Sequence, residues 1–184
     1  KSVRPDTQIM FNPYSLGDTS NGVAFETEPG MQCYSYILRP QSEGHALITS
    51  SDPSAPLDIN PAFLEADIDR ETAIEGTRAI RRIMEQDALK PHVVGETDKT
   101  NWAQSDEEIL ELYRTNGHCG LHAVGTAAMG PDETDVLDSQ CRVRGVEGLR
   151  VVDCSIFREM PSGNTNAPVM AAAWRLAELM HEHA

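Results

Sequence analysis

The eight residues Pro161-Ser-Gly-Asn-Thr-Asn-Ala-Pro168 constrain this chain more than any other segment. A regular strand or helix cannot run through them, because proline lacks a backbone N–H and glycine and asparagine favour turns. Directly downstream the sequence becomes Ala-rich, and Met170, Trp174, Ala177 and Met180 recur at helical spacing. Thr165-Asn166 can cap that helix, with Pro168 in its first turn, where a missing N–H costs little. The chain therefore delivers a polar loop to the N-terminus of its last helix. Upstream, Gly120-Leu-His-Ala-Val-Gly-Thr126 and Gly148-Leu-Arg-Val-Val-Asp153 set a histidine and an aspartate against glycine turns. That order suits a site where a base and an amide meet at a helix N-terminus.

The earlier two thirds predict an α+β fold, an antiparallel sheet flanked by helices. Gln8-Ile-Met-Phe-Asn-Pro13 reads as a short strand closed by proline, and Asp18 to Gly30 as a surface loop. Met31 to Leu38 alternates with a period of two and carries aromatic residues, which predicts a strand. After the turn Pro40 to Gly44, His45 to Thr49 reads as its antiparallel partner. Asp69 to about Gln86 predicts a helix capped by Asp69, with Ile80, Ile83 and Met84 on an apolar face. Ser105-Asp-Glu-Glu108 has the capping-box pattern and opens a second helix, which Asn116-Gly117 can end. Leu149 to Val152 reads as a short apolar strand.

A 184-residue chain with 40% hydrophobic and 24% charged residues has globular proportions. Its net charge of −14 argues against nucleic acid and anionic membranes as partners, since phosphate recognition needs clustered Lys and Arg. No apolar run is long enough to span a bilayer. Cys33, Cys119, Cys141 and Cys154 form no C-x-x-C pair, so they read as reduced, mostly buried thiols of a cytoplasmic protein. The first residue is not Met and the start lacks a signal core, an expectation of a piece of something longer.

Each candidate chemical residue has two readings. His122 lies between Gly120 and Gly125, where backbone approaches a ligand closely, and imidazole is the side chain suited to proton transfer at neutral pH. Taken alone, a histidine in such a small-residue stretch is more often structural. His118 lies four residues earlier, a metal-ligand spacing on a helix, but Gly117 and Gly120 oppose a helix here and no third ligand is evident, so no metal is assigned. Asn164, Thr165 and Asn166 are either a helix cap or an amide and backbone N–H cluster aimed at an anionic group. Asp153 is either a turn cap or a ligand-binding carboxylate at a strand end.

Taken together, His122-Ala-Val-Gly-Thr-Ala-Ala-Met-Gly130, Arg142-Val-Arg-Gly-Val-Glu-Gly-Leu-Arg-Val-Val-Asp153 and Pro161 to Pro168 resemble the C-terminal region of glucose-methanol-choline (GMC) flavoprotein oxidoreductases, in their choline dehydrogenase-like branch. Arg4-Pro-Asp-Thr-Gln8, Leu38 to Gly44 and Ser51-Asp-Pro53 extend the likeness to that family's substrate-binding domain. The resemblance implies a substrate-binding domain over 1–139. Over 140–184 it implies a segment whose strand, loop and helix would complete an FAD domain. It also implies oxidation of an alcohol substrate, with hydride passing to flavin N5. His122 matches the family's catalytic histidine in H-x-V-G-T, and Asn164 the second catalytic position. Asp153 and Cys154 fall where the family's chain passes the FAD, and Thr165, Asn166 and Pro168 where the last helix points at the flavin. Ala123 replaces a common proline and Ala127-Ala128 a frequent Cys-Arg, departures that leave the catalytic assignment intact and weaken any claim to choline itself.

The family's G-x-G-x-x-G dinucleotide turn has no match in this chain. The expectation is therefore half a site, catalytically inert and weak in FAD binding without the missing FAD-binding domain. A GMC-type hydroxynitrile lyase, or a non-catalytic interaction domain, are the competing readings.

Overall fold

The computed structural model describes residues 3–17 and 24–182, so the expected loop from Asp18 lies through Val23 outside the described residues. The elements run β1 (Thr7–Asn12), β2 (Gln32–Ile37), β3 (His45–Leu47), β4 (Asp58–Asn60), α1 (Asp67–Met84), α2 (Asp106–Asn116) and α3 (Asn166–Glu182), with single 3-10 turns at Lys90–His92 and Cys154–Ile156. The chain divides into two compact units.

The first unit comprises Lys1–Ile37 and Asp67–His118. β1 and β2 pair antiparallel, from Thr7 opposite Ile37 to Asn12 opposite Gln32. This corrects the expected pairing of β2 with the His45 segment. α1 lies against this ribbon, and Gly76 permits the approach: a Cβ there would sit 2.8 Å from Ser35 Oγ and 3.4 Å from Thr7 Cγ2. The Tyr113 hydroxyl of α2 lies 3.0 Å from Ser35 Oγ and 3.3 Å from the Ala73 carbonyl, which it reaches as donor. Beneath it, Ile74, Ala103 and Ile109 form a buried cluster.

α1 begins at Asp67, so Asp69 is a buried first-turn residue rather than the expected cap. Asp67 and Asp69 in the first turn and Arg81 and Arg82 in the last suit the helix dipole. α2 starts as its sequence predicts. Ser105 Oγ accepts the Glu108 N–H at 3.2 Å, while Glu108 Oε2 accepts the N–H groups of Ser105 and Gln104, both at 2.9 Å. At the other end the Gly117 N–H donates to the Tyr113 carbonyl.

The second unit comprises Leu38–Ala66 and Cys119–Ala184. β3 pairs antiparallel with β4, His45 opposite Asn60, and both strands are exposed. The core is Leu137, Cys141, Ile156 and Leu176, packed around by Ala127, Met129, Val152 and Leu179 among others. The expected Leu149–Val152 strand is not formed. Only Arg150 bridges, to Arg142, because Gly145 and Gly148 both take positive φ and turn the backbone between them. The 139/140 boundary falls inside this unit, in a turn where Asp138 Oδ1 accepts the N–H groups of Gln140 and Arg142. On α3 the inner face is Ala172, Leu176 and Leu179. Met170 (64% exposed) and Trp174 (73%) point outward, so the Met170–Trp174–Met180 series is not the core face.

All four cysteines are free thiols. Cys141 is buried, Cys33 and Cys154 are half-buried and Cys119 is exposed. Burial pushes the Cys33 and Cys141 thiols above their ordinary range. Among the described residues no helix is long and apolar enough to cross a membrane.

Candidate active site

Every candidate site residue falls in the second unit. His122 is half-buried on the segment between Gly120 and Gly125. Leu121 before it adopts φ +58°, a conformation disfavoured for a leucine, and its side chain is 86% exposed. Gly125 follows at φ +90°, a value suited to glycine. Beyond this turn the chain is locked onto the core. The Ala127 N–H donates to the Ser155 carbonyl at 3.1 Å and the Met129 N–H to the Ile156 carbonyl at 2.9 Å. The histidine segment and the Asp153–Ile156 turn are therefore held side by side.

The ring of His122 reaches the start of α3. Its Nδ1 lies 3.2 Å from Thr165 Oγ1, across 43 positions of sequence. Thr165 is 5% exposed and its carbonyl accepts the Val169 N–H at 3.0 Å, so it is the residue from which the helix springs. Asn164 is exposed and directly precedes Thr165, which puts its Cα about 3.8 Å from that of the residue bonded to His122. Gly163 before it takes φ +128°, so the loop enters the helix through a glycine turn. Asn166 is exposed at the first helical position, and Pro168 is half-buried at the third.

Asp153 does not reach into this pair. Its carboxylate caps the adjacent 3-10 turn, with Oδ1 accepting the Ser155 N–H at 2.8 Å and the Ser155 hydroxyl. The Ser155 hydroxyl, then its N–H, hold the Asp153 carboxyl below the usual carboxylate range. Cys154 is the half-buried first residue of that turn. His118 and His122 belong to different units, and among the described residues no group of three His, Cys, Asp or Glu forms a metal-binding cluster.

Two relationships were not legible in the sequence. The Thr165 side chain, expected to serve as cap or flavin contact, engages the histidine. Arg158 Nη1 pairs with Asp132 Oδ2 at 3.2 Å and with buried Asp135 Oδ2 at 3.3 Å, beside Gly130. The recurrence of aspartate at every third position, 132, 135 and 138, was the available signal.

Residues 40–173 match the C-terminal model of GMC oxidoreductase. The oxygen-dependent choline dehydrogenase of Escherichia coli O139:H28 (strain E24377A / ETEC) is 34% identical over 176 residues, which is 96% of this chain and 31% of that protein. The chain thus spans about a third of the length of the curated relatives it matches. A solved FAD-dependent oxidoreductase from Chaetomium thermophilum is 29% identical, with a TM-score of 0.70 over 84% of this chain and 27% of its own. Pyridoxine 4-oxidase from Mesorbium loti shares the fold at a TM-score of 0.79 and 24% identity, over 98% of this chain and 35% of that one. These relatives define a class of flavin-dependent oxidoreductases. The chain belongs to the GMC oxidoreductase family.

Proposed function

We propose that this chain is the substrate-side portion of an FAD-dependent alcohol dehydrogenase or oxidase, working with an FAD-binding domain and inert without one. The observation that carries this reading is the 3.2 Å approach of His122 Nδ1 to Thr165 Oγ1, which joins the H-x-V-G-T histidine to the start of α3.

The residues present fit a flavin. The first N–H groups of α3, at exposed Asn166 and Ala167, have no intrahelical acceptor, and the positive end of the helix suits a ring edge that gains negative charge. Asp153, Cys154, Thr165, Asn166 and Pro168 would line that cofactor. FAD, when bound, supplies the hydride acceptor. The chain's own contribution is the handling of the alcohol oxygen. Neutral His122 accepts the hydroxyl proton, and the Asn164 amide donates to the same oxygen as it becomes alkoxide-like. Hydride leaves a carbon readily only when its oxygen carries that charge.

The test is His122→Ala in a holoenzyme that joins this chain to an FAD-binding domain. Anaerobic stopped-flow should show alcohol-driven flavin reduction slowed by about 10²–10⁴-fold. Reduction at the wild-type rate would remove His122 from the chemistry.

A further inference from the structure

We propose that Thr165 is a positioning residue that selects the ring tautomer of His122. Its Oγ1 accepts a hydrogen bond from Nδ1–H, so that Nε2 carries the lone pair. The proposal deepens the reading of His122 as a base and rests on it.

The start of α3 leaves Thr165 Oγ1 able to accept that bond. An N-cap hydroxyl ordinarily spends an acceptor lone pair on the backbone N–H of the second or third helical residue. The helix begins at Asn166; its third residue, Pro168, has no N–H to offer, and the side-chain bond that Thr165 makes runs to His122 rather than to the Ala167 N–H. Thr165 therefore keeps acceptor capacity that other N-cap residues use. A hydroxyl has two lone pairs beside its one hydrogen, so it can accept from Nδ1–H. Its place is fixed twice over, by burial (5% exposed) and by the bond its carbonyl takes from Val169. His122 is aimed at it by the glycine-rich turn that ends at Gly125.

The consequence is chemical. In a neutral imidazole one nitrogen carries hydrogen and the other a lone pair, and the bond made by one decides the state of the other. With Nδ1–H given to Thr165, only Nε2 can take a proton. The opposite arrangement would present Nε2–H, a donor, and the ring could not serve as base at that atom. One hydroxyl thus decides which of two chemistries the histidine offers.

Long-range ¹H–¹⁵N NMR of the histidine rings in this chain, with the rings neutral, reads the tautomer directly and needs no cofactor. The Nδ1–H form of His122 should dominate. Thr165→Val, nearly isosteric, should lower the Nδ1–H to Nε2–H ratio about fivefold, the equivalent of about 1 kcal/mol for one hydrogen bond. Thr165→Ser should preserve the native ratio, and His118 should not change. A native ring with hydrogen on Nε2 overturns the proposal, whether or not the variants fold. An unchanged ratio in Thr165→Val, or a Thr165→Ser that behaves like Val, overturns it as well. If instead the ring is Nδ1–H but His122→Ala leaves flavin reduction intact, the proposed function falls and the tautomer assignment stands.

Discussion

Asp135 and Arg158, twenty-three residues apart, meet over the backbone of Gly130. Asp135 is buried and its Oδ2 also accepts the Asp132 N–H at 2.9 Å, so the carboxylate has little room to move. A Cβ on Gly130 would lie 2.6 Å from Asp135 Cγ and 2.8 Å from Arg158 Nη1. Gly130→Ala should therefore displace a buried, hydrogen-bonded carboxylate and cost about 2 kcal/mol. Urea unfolding of the purified chain measures it. A midpoint unchanged from wild type would mean that the pair closes over the added methyl.

Leu137 and Trp174 separate the true core from an apparent one. Leu137 is fully buried beside Cys141 and Ile156, and Leu137→Ala should cost about 2–5 kcal/mol through the cavity it leaves. Trp174 is 73% exposed, its indole N–H donating to Glu178 Oε1 at 2.9 Å, and Trp174→Gln should stay within about 0.5 kcal/mol of wild type. Paired thermal melts test the rotational setting of α3. Equal losses in the two variants would show that its outer face is buried in solution.

The capping box of α2 predicts a pH dependence of known sign. The Ser105 N–H, then the Gln104 N–H, hold the Glu108 carboxyl below the usual carboxylate range. A depressed folded value means that the stabilisation is fully present above the unfolded value, about 4.3, and is lost as pH falls through the folded one. Glu108→Gln keeps the acceptor and removes the titration. The difference in urea midpoint between wild type and Glu108→Gln should therefore shrink as pH is lowered from about 5 to about 3. A difference that stays constant with pH would show that the charge of Glu108 adds nothing to the cap.

These elements also show what local sequence carries. The capping box of α2, the proline that closes β1 and the proline in the first turn of α3 were legible because each is set by neighbours within a few residues. The partner of β2 was not. The alternation of Met31–Leu38 specifies a strand and its two faces, whereas the choice between β1 and β3 depends on α1 packing against the β1–β2 ribbon through Gly76. Leu149–Val152 has the composition of a strand, but across the Gly145–Gly148 turn its pairing is a single bridge, Arg150 to Arg142. On α3 the helical spacing of Met170, Trp174 and Met180 marked a helix but not its inner face, where alanine and leucine at 172, 176 and 179 suffice against a core already filled by Leu137 and Ile156. Of the candidate site, the assignment of His122 and Asn164 rests on motifs; the contact between His122 and Thr165 is a long-range fact that no spacing encodes.

Asn164 gives the last prediction. It sits exposed at the end of the loop, next to the residue that holds the histidine, and its proposed task is to donate to the alcohol oxygen as charge develops there. A donor that acts mainly in the transition state contributes to kcat more than to substrate binding. In a holoenzyme joining this chain to an FAD-binding domain, Asn164→Ala should lower kcat for alcohol oxidation about 10²–10³-fold with a smaller change in KM. Asn164→Asp, which sets a carboxylate against the forming alkoxide, should be slower still. Steady-state rates with flavin reduction followed in parallel would decide it. An Asn164→Asp enzyme as fast as wild type would show that the oxygen is held by other groups.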